Sequence, residues 1–188
     1  MPTEPALDSE QVYPYLVPEA YLEHQSSSDS PTQPLGHGIS VALVADFNGV
    51  VRNITVQDLE PLALPWEDAR SRALRNLEKL LANGTISMKL FEKGPADLPF
   101  IVIGGHWAAA TAILLPKLRS IAATHFAGDS VCASIPHRAA LLLFPCGTVE
   151  SRAAMRAMIL KHEGAAKKPL TFELFSLTEA GVKPLPVD

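Results

Sequence analysis

The sequence predicts an α+β fold class: an antiparallel or mixed sheet built from repeated β-hairpin–helix units, with the helices packed on the sheet. Three observations predict it. Asn48-Gly49 separates two apolar runs, Pro65 to Ala82 carries a single apolar stripe at helical spacing, and a hairpin followed by a helix recurs twice more along the chain.

Residues 1–38 hold six of the sixteen prolines and the run Ser26-Ser27-Ser28-Asp29-Ser30, a composition that makes linkers more readily than cores. They read as a Pro/Ser-rich N-terminal strap, partly mobile, ahead of a single α+β domain over residues 39–188. Val12, Tyr13, Tyr15, Leu16, Val17, Tyr21 and Leu22 are too apolar to leave in water, so the first half of the strap is expected to dock on the domain in extended form.

From Ile39, the residues Val41, Leu43, Ala45 and Phe47 alternate with their neighbours. Asn48-Gly49 then supplies the two positive φ angles of a type I′ turn, a register that sets Phe47 opposite Val50 and Leu43 opposite Ile54. Thr55 with Asp58 makes a capping box for a short helical turn ended by Pro61. In the next segment Trp66, Ala69, Ala73, Leu74, Leu77, Leu80 and Leu81 share one helix face. Pro65 suits its first turn, Glu67 and Asp68 complement its positive end, and Asn83-Gly84 supplies a left-handed cap.

Thr85 to Phe91 and the buried run Phe100-Ile101-Val102-Ile103 form a second hairpin. Gly104-Gly105 breaks that strand, and Trp107 to Ala123 reads as a helix that Pro116 either kinks or restarts. Val131 to Ile135 and Ala139 to Phe144 form a third hairpin around Pro136-His137-Arg138, feeding a helix over Val149 to His162 capped by Thr148. Leu170 to Leu177 followed by Val182 to Leu185 fits either a short helix or a fourth hairpin.

Composition excludes several classes. Sixteen Lys and Arg against twenty Asp and Glu leave a formal charge of −4, so no global positive field exists to hold a nucleic acid. The basic cluster Lys161, Lys167 and Lys168 reads as a solvated helix end. The longest apolar stretch, Trp107 to Leu115, is nine residues, far short of the ~20 that cross a bilayer. The acidic N-terminus lacks the apolar segment of a signal peptide, and Cys132 and Cys146 read as small buried thiols, with Cys132 facing Leu142. A reducing cytoplasm is the expected location.

Four stretches carry a family resemblance: Trp66-x-x-Ala69-x-x-x-Ala73-x-x-Asn76-Leu77, Trp107-Ala108-Ala109-Ala110-Thr111-Ala112-Ile113-Leu114-Leu115-Pro116, Gly128-Asp129-x-x-x-Ala133-x-Ile135-Pro136-x-Arg138 and Pro169-Leu170-Thr171-x-x-Leu174-Phe175. In order and spacing, over residues 39–185, the chain resembles the bacterial YtpQ-like family of unknown function. The family's hairpin loop often reads Pro-Asn-Arg-Asp, whereas Pro136-His137-Arg138-Ala139 lacks the final carboxylate. The resemblance implies a cytoplasmic bacterial protein and carries over no catalytic residues.

No sequence motif marks chemistry strongly. The histidines His24, His37, His106, His125, His137 and His162 lack the close ligand pairs of a zinc site, so no metal and no cofactor is expected. Gly104-Gly105-His106-Trp107 could aim backbone N–H groups at an anion, but it has neither a third glycine nor a P-loop lysine. Arg138 could clamp a carboxylate or phosphate with His137 titrating beside it, or it could pair with Asp129 or Glu150 and fix the turn. Ser130 and Ser134 have no neighbouring base, and Glu67-Asp68 is explained by its helix start.

Two readings of function follow. The first is a non-enzymatic protein- or peptide-binding module, with self-association into a homo-oligomer left open, with no catalytic residues and with the apolar strap covering an edge or groove. The second is a small enzyme or binding protein for an anionic small molecule, with Gly104, Gly105, His106, His137 and Arg138 converging in one cleft.

Overall fold

The computed structural model describes residues 7–22, 30–127 and 130–186, so His24, the serine run up to Asp29, and Gly128-Asp129 lie outside the described residues. Among the described residues ten strands form two antiparallel sheets. The first holds β1 (Val12–Pro18), β2 (Gln33–Gly36), β3 (Ile39–Phe47) and β4 (Val50–Asn53), with β1 along one side of β3, and β2 and β4 pairing with its two ends on the other. The second has the order β10-β9-β7-β8-β6-β5, from β5 (Ser87–Phe91), β6 (Phe100–Gly104), β7 (Val131–His137), β8 (Ala140–Pro145), β9 (Leu174–Thr178) and β10 (Gly181–Pro184). The helices are α1 (Glu19–Leu22), α2 (Val56–Leu59), α3 (Trp66–Ala82), α4 (Pro116–His125) and α5 (Val149–Glu163).

The first hairpin has the expected register: Phe47 pairs with Val50, and the Ile54 N–H donates to Leu43 O at 3.0 Å. Asp46 steadies the turn by accepting from the Gly49 N–H at 2.6 Å. Thr55 and Asp58 form the capping box of α2. α3 begins one residue later than Pro65, which serves as its N-cap, and Gly84 takes the left-handed conformation beyond its end. Pro116 restarts the chain instead of kinking it: a 3-10 turn over Ala110–Leu114 ends at Leu115, and α4 starts at Pro116, where the missing N–H costs no hydrogen bond. The C-terminal segment is the hairpin β9–β10, closed by Thr178 Oγ1 donating to Gly181 O at 2.8 Å.

The boundary expected near residue 38 falls inside a sheet. β1 pairs with β3 from Val12–Ala45 to Pro18–Ile39, and β2 pairs with the start of β3, so the extended docking expected of the first half takes the form of strand pairing, and residues 12–18 and 33–36 belong to the sheet. Backbone groups that leave water need partners, and here each strand supplies the other's. Asn76 of α3 adds a side-chain tie, with Nδ2 donating to Ser9 O and Val12 O at 2.8 and 3.0 Å.

The second sheet separates two cores. One face carries Ile101, Ala133, Leu143, Phe175 and Leu177 into the central core shared with Leu16, Leu77, Leu118 and Ala122; the other carries Phe100, Cys132, Leu142 and Phe144 against Met155 and Ile159 of α5. A third cluster, Val12, Leu43, Ala45 and Ile54 against Ala69 and Ala73, joins the first sheet to α3.

The two cysteines are not the separate buried thiols expected of them. His137 pairs with Ala140 around a two-residue turn, and the register shifts between Ser134 and His137, so Ser134 lies opposite Leu142, and Cys132 opposite Phe144. Cys146, two residues beyond Phe144 on the same face, bonds Cys132 in a disulfide with a Cα separation of 4.9 Å. The shift occurs at Pro136, which has no N–H to give the ladder; its carbonyl instead accepts from the Leu170 N–H at 2.8 Å.

Candidate functional site

The tight β7–β8 turn sends its two polar side chains in different directions. His137 faces the end of α5, with Nε2 2.9 Å from Glu163 Oε2 and Nδ1 accepting from the Ala139 N–H at 3.2 Å. Both ring nitrogens are thus engaged. Arg138 faces the first sheet: its guanidinium lies 4.5 Å over the Tyr15 ring, and its Nε donates to Leu16 O at 3.4 Å. The turn also binds through its backbone, since Arg138 O accepts from the Ala110 N–H at 2.9 Å.

Gly104 ends β6 opposite Ser87, and Gly105 turns the chain with φ +84°, a conformation in which a side chain is strained. The segment beyond is not a helix start presenting free N–H groups to an anion. The Ala108 N–H donates to His106 Nδ1 at 3.2 Å and the Ala109 N–H to His106 O at 3.1 Å, which leaves Arg138 O to take the third. His106 is half-buried, and that burial holds its pKa below the ordinary 6.5, partly offset by the Asp46 carboxylate.

These residues surround an aromatic cluster. Trp107 meets Tyr13 edge-on with centroids 5.9 Å apart, Tyr15 at 5.8 Å and His106 at 5.2 Å, and its Nε1–H donates to Asp46 Oδ2 at 3.1 Å. Burial, then the Asp46 and Glu10 carboxylates, push the Tyr13 hydroxyl above its usual range. His106 and Arg138 are therefore joined through Trp107 and Tyr15, while His137 stands apart on the α5 side. This cluster locks the second sheet's connections onto the first sheet. Among the described residues no three of His, Cys, Asp and Glu gather as a metal site would require.

A separate concavity lies elsewhere. A cleft of about 890 Å³ opens between β2, β3, α3, the 3-10 turn and the β9–β10 turn. Leu35, Val41, Leu74, Ile113 and Val182 supply apolar walls, while Glu67, Arg70, Arg119 and Glu179 stand at its polar margin. Arg70 pairs with Glu67 at 3.0 Å and donates to Gln33; Arg119 meets Glu179 at 3.5 Å.

Two sheet edges border this cleft. β2 and β10 meet where Gly36 abuts Pro184 so closely that a Cβ on the glycine would lie 2.1 Å from Pro184 Cγ. Leu185 N–H donates to Leu174 O at 2.9 Å, so by antiparallel alternation Lys183 also faces β9, and Val182 turns its N–H and C=O away from it. Among the described residues β10 pairs with β9 alone.

The sequence gives no sign of this cleft, because its walls come from five separate parts of the chain, and Gln33–Leu35 sit within the segment read as linker. No protein-family model, curated protein or solved structure matches the chain. Among the described residues no helix is long and apolar enough to cross a membrane.

Proposed function

We propose that the protein is a binding module and not an enzyme, and that its cleft receives an extended peptide segment of a partner protein. The observation that supports this is the edge of β10 beside the apolar cleft: the ladder with β9 turns the Val182 N–H and C=O away from β9, next to walls supplied by Leu35, Val41, Leu74 and Ile113. A small anion would leave most of the apolar wall uncovered, and both cleft arginines already have carboxylate partners. The dispersal of His106, His137 and Arg138 into structural contacts supports a role without catalysis. Membership of the YtpQ-like family and a cytoplasmic location belong to the same proposal, resting on the four sequence stretches.

The test uses a display library of random dodecapeptides selected against the full chain, with enriched sequences remade and measured by fluorescence anisotropy. Enriched peptides should alternate apolar and polar residues, compete with one another and be lost with Leu74→Arg. Val182→Pro should weaken them about tenfold, the order of one lost hydrogen bond. No enrichment, or binding that survives both substitutions, overturns the proposal.

A further inference from the structure

We propose that Cys132 and Cys146 form a thiol–disulfide exchange site that a low-molecular-weight thiol can reduce, and the corresponding disulfide reoxidise, without unfolding the protein. The two cysteines differ in the way such a site needs. Cys132 is fully buried under α5, whereas Cys146 is half-buried and lies beyond the end of β8, three residues before α5. An incoming thiol therefore reaches Cys146 and not Cys132. The Arg152 guanidinium, whose Nη1 lies 3.5 Å from Cys146 O, and the N-terminus of α5 three residues on bring positive charge to the Cys146 end of the pair, which favours a thiolate there.

The bond is also redundant for strand pairing. Cys146 N–H donates to Ser130 O at 2.8 Å and the β7–β8 ladder continues from Val131–Pro145 onward, so the strands stay registered when the sulfurs separate. The cap of α5, Ser151 N–H on Thr148 Oγ1 at 3.2 Å, does not involve either sulfur.

In reduction, an incoming thiolate attacks the sulfur of Cys146, the Cys132–Cys146 bond breaks, and Cys132 leaves as a thiolate that takes the proton lost by the attacking thiol. A second small thiol then attacks the small-molecule sulfur of the mixed disulfide and releases Cys146 as a thiol. Two small thiols become one small disulfide, and two electrons pass to the protein.

The full chain is equilibrated in buffers of reduced and oxidised glutathione, acid-quenched, alkylated and weighed by mass spectrometry, with circular dichroism recorded in parallel. Both cysteines should gain or lose alkylation together across the glutathione series while the dichroism stays constant. Cys132→Ala should hold glutathione on Cys146, and Cys146→Ala should leave Cys132 unmodified in the folded chain. Thiols that stay alkylatable in oxidised glutathione, a disulfide that opens only in denaturant, or glutathione appearing on Cys132 of Cys146→Ala would each overturn the proposal.

Discussion

The guanidinium of Arg138 lies 4.5 Å over the ring of Tyr15, so the tip of a hairpin in one sheet is held by a strand of the other. Arg138 also gives its Nε to Leu16 O, a contact across 122 positions of sequence. A cation over a partly desolvated ring contributes on the order of 0.5–2 kcal/mol. A double-mutant cycle of Arg138→Ala and Tyr15→Leu, read by urea unfolding, should return a coupling of about 1 kcal/mol in favour of the pair. Zero coupling would show that the two side chains only happen to be adjacent.

Ser134 makes the opposite case. Its side chain is fully buried on the sheet face beneath α5, between the strand neighbours Leu142 and Leu174, and its Oγ has no hydrogen-bond partner among the described residues. A buried hydroxyl without a partner carries its desolvation cost uncompensated, and deleting one oxygen leaves little void. Ser134→Ala should therefore stabilise the chain by about 1 kcal/mol, a rise of roughly 2–4 °C in Tm for a chain of this size. A fall in Tm would show that the hydroxyl has a bond that remains to be identified.

Local signals in the sequence reached far into this fold. Asn48-Gly49, Thr55 with Asp58, the α3 stripe and Thr148 each specify structure through chemistry within a few residues, and each element forms where that chemistry places it. Two kinds of feature were not legible. The turn residues are Arg138-Ala139, between the paired His137 and Ala140, so a register counted from a turn centred on His137 set Cys132 opposite Leu142 instead of Phe144 and hid the disulfide. The proline content of residues 12–36 masked two strands, because Pro14, Pro18 and Pro34 are tolerated where their missing N–H groups cost the ladder little, and only the pairing with β3 settles their role. The cleft was invisible for a related reason: it exists only once those strands are in place.

That placement sets a prediction for truncation. Removing residues 1–38 deletes β1 and β2, exposes the face of β3 that packs on Val12 and Leu16, and takes away both carbonyls that Asn76 Nδ2 bonds. Val12 and Leu16 are each almost wholly buried, and apolar side chains of this size contribute about 1.5–3 kcal/mol apiece. The truncated chain should lose cooperative thermal unfolding and bind a hydrophobic dye, measured by calorimetry and fluorescence. A truncated chain that melts cooperatively near the Tm of the full chain would return the segment to the status of a dispensable strap.

Acid should act through His106 before it acts through the carboxylates. Burial holds the folded pKa of His106 below 6.5, so as pH falls past that value the unfolded chain takes up a proton that the folded chain resists, and stability declines until the folded value is passed. Asp58 comes later. Burial alone would raise its pKa, but hydrogen bonds from Thr55 and Arg52 outweigh that and hold the carboxylate below 3.8, so its contribution is complete above that value and is lost as pH falls through the folded one. Tm measured between about pH 8 and about pH 5 should thus fall in the native protein and fall less in His106→Gln, which has no proton to gain there. The Asp58→Asn variant, by contrast, should lower Tm at neutral pH and leave the slope between about pH 8 and about pH 5 unchanged, because that carboxylate titrates below the whole interval. Equal slopes in the native protein and His106→Gln would remove His106 as the origin of the decline and point to a group whose environment differs more between the folded and unfolded chains.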